Sequence, residues 1–471
     1  NVKLRQRGIQ EIDGVTLVKS ISKLAKLIET PINKNKFIDA IRTGYIGKKG
    51  PVFLEIPIDV QAFSFQDEIK EPAKNKLLES YDSKHLELII KKYNASKKPI
   101  ILIGGGVSYE TAELINKTII DCNIPFMTTY NGADRIDSDY LYYFGRPNTW
   151  GQRSANIIIQ KADLIIVFGS RLGLQQTGFN WQEFGRNSEI IQIDIDKEEL
   201  FKGHPNVHYK INADCNPLLR EFVKNAYSIK YENWINECLD IRKKIPRIEN
   251  VNDTSSGYIS PYDFIISLEK LTTNKCNIIP CSSGSAFTLT MQLWNQKFGQ
   301  RILTNKSLAS MGYGLSGAIG TCFALPNRKT ILIEGDGGFA QNIQEIGTAK
   351  INNLNLKIFI FNDQGHASIR MTQNSYFNGK YLGCDRNTGL GLPNWFKVFE
   401  GWDINVFEIN EEFESKKEFL KRFNNNQLEV FIVSIDPKQT YYPKISSSIT
   451  ESGNMISNPL DIMTPEIDYL T

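Results

Sequence analysis

Six short, almost purely apolar runs recur along the chain: Lys98–Ile103, Asp163–Phe168, Ile190–Ile195, Lys329–Ile333, Leu356–Phe361 and Val430–Ser434. All but Ile190–Ile195 show no polar alternation, so they read as buried strands. The segments between them are long enough for helices, and parallel neighbours need such crossovers. The fold class is therefore α/β, with parallel sheets flanked by helices. At 471 residues, and roughly 150 residues per domain, there is room for about three domains.

Charge and composition narrow the partners. Lys and Arg total 55 against 52 Asp and Glu, with no long block of one sign, so neither a nucleic-acid footprint nor an acidic tail is present. No apolar run approaches the roughly 18 residues that would span a bilayer. The seven cysteines are scattered and include no CxxC pair, which argues against a disulfide framework or a zinc site and suits a reducing cytoplasm.

Residues 34–43 read as a helix and 51–57 as a buried strand, whereas 1–20 give no complete strand–turn–helix start. With Asn1 in place of Met, residues 1–65 are expected to be the last part of an α/β domain. A polar linker over 66–82, a domain over 83–228, a further domain over 250–440 and a tail or lid over 441–471 complete the expected organisation. The helix after strand 329–333 is expected over 339–352.

The chemistry concentrates late in the chain. Strand 329–333 delivers Gly335-Asp336-Gly337-Gly338 to its carboxyl end, where open α/β sheets bind ligands. Glycines there let backbone amides approach phosphate. A carboxylate in the same turn makes sense when it holds a divalent cation that bridges to the phosphate, so Asp336 is a candidate Mg²⁺ ligand. The next strand ends in Asn362-Asp363-Gln364-Gly365, which places Asp363 and the Gly365 carbonyl beside it.

The whole segment, GDGGFAQNIQEIGTAKINNLNLKIFIFNDQG, resembles the signature of thiamine diphosphate (ThDP) enzymes. Among them the chain looks most like the acetolactate synthase group. Supporting stretches are KKPIILIGGGV at 97–107, GSRLGLQQTGF at 169–179, Met311-Gly312-Tyr313-Gly314-Leu315, and Pro57-Ile58-Asp59-Val60-Gln61. The wording of 361–393 is more like a branch found in polysaccharide-sugar pathways. The resemblance implies a three-domain architecture: a partial pyrimidine domain, a central Rossmann-like domain and a diphosphate-binding domain. It implies ThDP and Mg²⁺ as cofactors, and a homo-oligomer, dimer or tetramer. The implied reaction is decarboxylation of a 2-keto acid such as pyruvate and transfer of the two-carbon unit to a carbonyl acceptor, with a nucleotide-linked keto-sugar as one such acceptor.

Roles carry over residue by residue. Asp336, Asp363 and the Gly365 carbonyl match the metal ligands, and Met311 matches the apolar wedge that bends the cofactor. Ser283, Gly284 and Ser285 lie where the group's diphosphate loop lies. Gly335, Gly337 and Gly338 supply phosphate-facing backbone, and Ala367 opens the next helix in the same site. His366 either touches diphosphate or caps that helix. Gln373 and Tyr376 are candidates for the acceptor pocket. The group's catalytic Glu belongs to the early pyrimidine domain, so none is named here; Glu11 and Glu29 do not match its motif.

FAD stays open. Arg171 matches the group's flavin-contacting Arg, but Leu172-Gly173-Leu174-Gln175 replaces the usual continuation. Gly104–Gly106, with Gly105 at its centre, lacks GxGxxG spacing and fits a pyrophosphate loop or a structural turn. Two other readings also stay open, a flavin- or nucleotide-dependent oxidoreductase and a non-catalytic ThDP-binding relic. At 363 the group's usual Asn is Asp, which is expected to crowd two carboxylates and a diphosphate around one cation.

Overall fold

The computed structural model describes residues 6, 8–63, 81–119, 122–226, 231–281 and 283–467. Residues 66–80 of the expected linker lie outside the described residues. The chain forms two units, Asn1–Ser80 with Ile195–Glu198, and Tyr81–Asp194 with Glu199–Thr471.

In the first unit, β1 (Leu24–Leu27) pairs in parallel with β2 (Val52–Glu55), Leu24 opposite Val52. The crossover carries α1 (Lys34–Thr43), opened by Asn33, whose side chain accepts the Lys36 amide. β1 was not legible as a strand because its sequence, LAKL, is half exposed and lacks an apolar run.

The second unit holds two parallel sheets. The first follows α2 (Ser83–Ala95) and consists of β3 (Pro99–Ile103), β4 (Phe126–Thr128), β5 (Leu164–Phe168), β6 (Glu189–Asp194) and β7 (Tyr209–Asn212). Their order is β4-β3-β5-β6-β7, with α3 (Arg153–Lys161) leading into β5. Every residue of β3 and β5 is buried, as the unbroken apolar runs require.

The second sheet is built from β8 (Cys276–Ile279), β9 (Arg301–Ile302), β10 (Lys329–Gly335), β11 (Leu356–Asn362), β12 (Val406–Ile409) and β13 (Glu429–Ser434), in the order β12-β13-β11-β10-β8-β9. Its helices include α4 (Gly284–Leu293), α5 (Tyr313–Ala324), α6 (Ala367–Tyr376) and α7 (Lys417–Asn424). One face is filled by phenylalanines, with Phe359 and Phe431 stacked at 4.7 Å, and such pairs add to plain area burial. The register sets Gly335 opposite Phe361, so Asp336 and Asp363 emerge at the same edge.

The helix expected over 339–352 is broken. Asp336–Phe339 and Ile346–Ile351 are helical, but Asn342 between them has φ −139° and ψ 30°. Its amide instead donates to the Gly312 carbonyl at 3.1 Å and to Ser316 Oγ at 3.0 Å, so tertiary partners outweigh helix continuity.

The two sheets are locked by buried arginines. Arg146 donates to the Met291 carbonyl at 2.7 Å and the Trp294 carbonyl at 2.5 Å. Arg153 pairs bidentately with Glu249 at 2.7 and 2.9 Å and also reaches the carbonyls of Met463 and Pro465. The described part of 441–467 is therefore packed, with Leu460 and Met463 buried. It carries a small antiparallel hairpin, β14 (Ser447–Ile449) and β15 (Met455–Ser457).

Candidate active site

At the carboxyl edge of the second sheet, β10 passes directly into the short helix Asp336–Phe339. Asp336 is fully buried. Its Oδ1 accepts the Gly337 amide at 2.6 Å, while Oδ2 is buried with no partner. Burial holds this carboxyl well above the usual range, and the neighbouring Asp363 raises it further. A buried carboxylate oxygen left unpaired is costly, and a divalent cation is the group that would satisfy it.

Asp363 directly follows β11 and is also buried. Desolvation pushes its carboxyl up to about 6, against the pull of Arg370. Arg370 Nη2 donates to Asp363 Oδ1 at 2.7 Å and to the Asp363 carbonyl at 2.9 Å. The negative charge that separates Asp from the group's Asn is therefore met by a guanidinium. Sequence reading missed Arg370, although an Arg in the first turns of the helix after NDQG was a visible signal.

The turn between these carboxylates is shaped by glycine. A Cβ at Gly337 would overlap the His366 ring, and its position lies 3.4 Å from the Gly365 carbonyl oxygen. That carbonyl thus faces the Gly335–Gly338 turn. A Cβ at Gly365 would overlap the Cys384 carbonyl. Gln364 takes φ +61°, a left-handed conformation costly for a non-glycine residue. His366 precedes α6, which begins at Ala367, and makes no side-chain cap. Its imidazole packs on Gly337, and burial together with Arg370 lowers its basicity.

Met311 is 45% exposed, just ahead of α5. Gly312, at φ +84°, opens that helix, and its carbonyl accepts from Asn342. The wedge candidate is thereby tied to the turn that follows Asp336. A second tie is Glu334, which sequence reading missed although a lone Glu in ILIEGDGG was its signal. It is buried, its Oε2 has no hydrogen-bond partner, a Cβ at Gly314 would overlap its carboxylate, and desolvation pushes that carboxyl up to about 8. A Cβ at Gly338 would stand 2.9 Å from its Oε1.

Ser283 is the extended N-cap of α4, Gly284 has φ +73°, and Ser285 is buried. Tyr441, beyond β13 in the segment read as a tail or lid, is buried with Ser285, Asp363 and Asp336 among its electrostatic neighbours. Farther along α6, Gln373 uses both ends of its amide on Leu382, each at 3.0 Å. Tyr376 is 37% exposed, and its hydroxyl reaches the Ser447 carbonyl at 3.4 Å. Among the described residues no cluster of three or more His, Cys, Asp or Glu could hold a metal.

Gly105 and Arg171 lie elsewhere, on a cavity of about 760 Å³ beside the first sheet. The flanking Gly104 and Gly106 are required for packing, since a Cβ on either would press on Gly169. Arg171 pairs with Glu199 at 3.4 Å and Ser307 at 2.8 Å. Lys306 adds a second cation to the lining, its basicity lowered by burial. Two cations at a glycine-rich strand edge suit an anionic nucleotide. Among the described residues no helix is long and apolar enough to cross a membrane.

Comparison with known proteins agrees with this geometry. Residues 86–222 match the family profile "Thiamine pyrophosphate enzyme, central domain", and residues 282–434 match "Thiamine pyrophosphate enzyme, C-terminal TPP binding domain". The chain is 27% identical over 432 residues to the acetolactate synthase isozyme 1 large subunit of Escherichia coli (strain K12), covering 89% of this chain and 75% of that protein. It is 28% identical over 481 residues to the probable acetolactate synthase large subunit of Methanococcus aeolicus, covering 96% and 78%. Against the E. coli isozyme 2 large subunit it is 26% identical over 457 residues. With both profiles falling on the two parallel-sheet regions, and the carboxylates at the strand ends of the second, the chain belongs to the thiamine pyrophosphate enzymes.

Proposed function

We propose that this chain is a ThDP- and Mg²⁺-dependent carboligase of the acetolactate synthase type. It decarboxylates a 2-keto acid, pyruvate, and passes the two-carbon unit to a carbonyl acceptor, a nucleotide-linked keto-sugar. The observation that carries this reading is the unpartnered Asp336 Oδ2, buried beside Asp363 at adjacent strand ends. Relatives named acetolactate synthase supply the reaction class.

ThDP, when bound, supplies the carbanion chemistry that breaks one carbon–carbon bond and forms another. The chain's own residues hold and orient it. Asp336, Asp363 and the Gly365 carbonyl hold the cation; the amides around Gly335, Gly337 and Gly338 and the Ser283–Ser285 turn face the diphosphate; and His366 and Ala367 wall that side. Met311, half exposed ahead of α5, bears on the cofactor body. Tyr376, at the far end of α6, lies toward the acceptor, whereas Gln373 braces the 382 segment. The central cavity with Gly105, Arg171 and Lys306 takes FAD in a non-redox role. The working form is a cytoplasmic homodimer or homotetramer.

The test is reconstitution with ThDP and Mg²⁺ of the full-length protein, including the early pyrimidine part to which the group's catalytic Glu belongs, followed by CO₂ release from pyruvate with and without candidate acceptors. Mg²⁺-dependent ThDP uptake with acceptor-stimulated CO₂ release is expected. A chain that takes up no ThDP under any divalent cation sinks the reading.

A further inference from the structure

The Asp363–Arg370 pair raises a question of charge. Arg370 is 8% exposed, and three of its contacts join the end of β11 to the segment after α6: Asp363 Oδ1, the Asp363 carbonyl and the Cys384 carbonyl, the last at 3.4 Å. The Cys384 carbonyl also accepts the His366 amide at 2.8 Å. The guanidinium therefore engages only one carboxylate oxygen of Asp363. With a cation bound, Asp336 and Asp363 as carboxylate ligands and Arg370 as a guanidinium would together carry one net negative charge. An Asp–Asn ligand pair without an arginine would carry the same.

We propose that Arg370 is a positioning residue that cancels the charge of Asp363, so that an aspartate serves as an oxygen ligand without adding repulsion toward the diphosphate. This rests on the ThDP and Mg²⁺ reading above. The electrostatics separate it from a purely structural brace. Removing Arg370 leaves an extra buried negative charge, which draws a bare cation more strongly and repels a diphosphate. Removing the Asp363 charge alone leaves an uncompensated guanidinium, which weakens cation binding. A unit charge about 5 Å away in a partly buried site shifts affinity by about ten- to a hundredfold.

The experiment uses the full chain, with Mn²⁺ alone followed by electron paramagnetic resonance, and ThDP at saturating Mg²⁺ followed by calorimetry. Arg370→Met is expected to bind Mn²⁺ more tightly and ThDP more weakly, each by about tenfold or more. Asp363→Asn is expected to bind Mn²⁺ more weakly, and Asp363→Asn/Arg370→Met to return both affinities to within a few-fold of wild type. Arg370→Lys, which keeps the charge, should stay near wild type. Arg370→Met losing both affinities together, or the two substitutions adding in the double variant, overturns the proposal. If Arg370→Met does not fold, Asp363→Asn and Arg370→Lys still decide it: unchanged Mn²⁺ binding in the first or lost ThDP binding in the second overturns it. A wild-type chain that binds neither Mn²⁺ nor ThDP overturns the proposed function as well, whereas wild-type binding with an additive cycle overturns only the role of Arg370.

Discussion

The His366 imidazole fills the space beside Gly337, so that any Cβ at 337 would overlap Nδ1 and Cε1 of the ring. The phosphate-facing turn of one strand is thus shaped by a side chain from the end of the next. Gly337→Ala must push the ring or the turn aside, an overpacking cost of about 1–3 kcal/mol. Calorimetry should show weaker ThDP binding in Gly337→Ala, and substantial recovery in Gly337→Ala/His366→Gly. A double variant as weak as the single one would mean that Gly337 is needed for a reason other than His366.

Asp336 has the character of a functional residue held at a cost to the fold. Its carboxylate is buried with one oxygen unpaired, which no ligand-free protein needs. Asp336→Ala should bind no ThDP by titration in the presence of Mg²⁺, yet without ligands it should be as stable as wild type or more stable by about 1 kcal/mol. Unchanged ThDP affinity would remove Asp336 from the site.

Lys357, in β11, is buried at the opposite edge of the same sheet. It donates to Asn425 Oδ1 at 2.9 Å and to the Gln427 carbonyl, just beyond α7. Burial, then the nearby Lys329, pushes its ammonium down to about 7 from the ordinary 10.5. Between those values the unfolded chain binds more protons than the folded one, so this group makes stability rise with pH. In urea titrations at pH 7, 8 and 9, wild type should gain stability relative to Lys357→Met as pH increases. A constant difference across the series would show that Lys357 keeps its charge when folded.

The Arg153–Glu249 pair ties α3 to the segment leading into the second sheet and to the chain's last described residues. Arg153→Met leaves Glu249 buried without its partner, a loss of about 3–5 kcal/mol. Replacing both, as Arg153→Met/Glu249→Leu, should recover much of it. Chemical denaturation measures each. A single variant within 1 kcal/mol of wild type, the scale of an exposed ion pair, would show that the pair is not buried in solution.

The sequence by itself determined the buried central strands β3, β5, β6, β10, β11 and β13 and the place where the chemistry emerges, whereas the short strands β4, β7, β8, β9 and β12 were not legible in it. Unbroken apolar runs have one low-energy use, between two layers of helices. The interval between Asp336 and Asp363 is one strand-to-strand crossover, so a local pattern was enough to place both carboxylates on adjacent strand ends. Only the tertiary structure decided what surrounds them. Arg370 pairs with Asp363, Glu334 packs against Gly314 at the start of α5, Tyr441 returns from beyond β13, and Asn342 leaves its helix for Gly312. Each depends on how deeply a polar group is buried and on which distant backbone or charge meets it there. Burial sets those energies, and burial is a property of the packed chain that no local stretch of sequence contains.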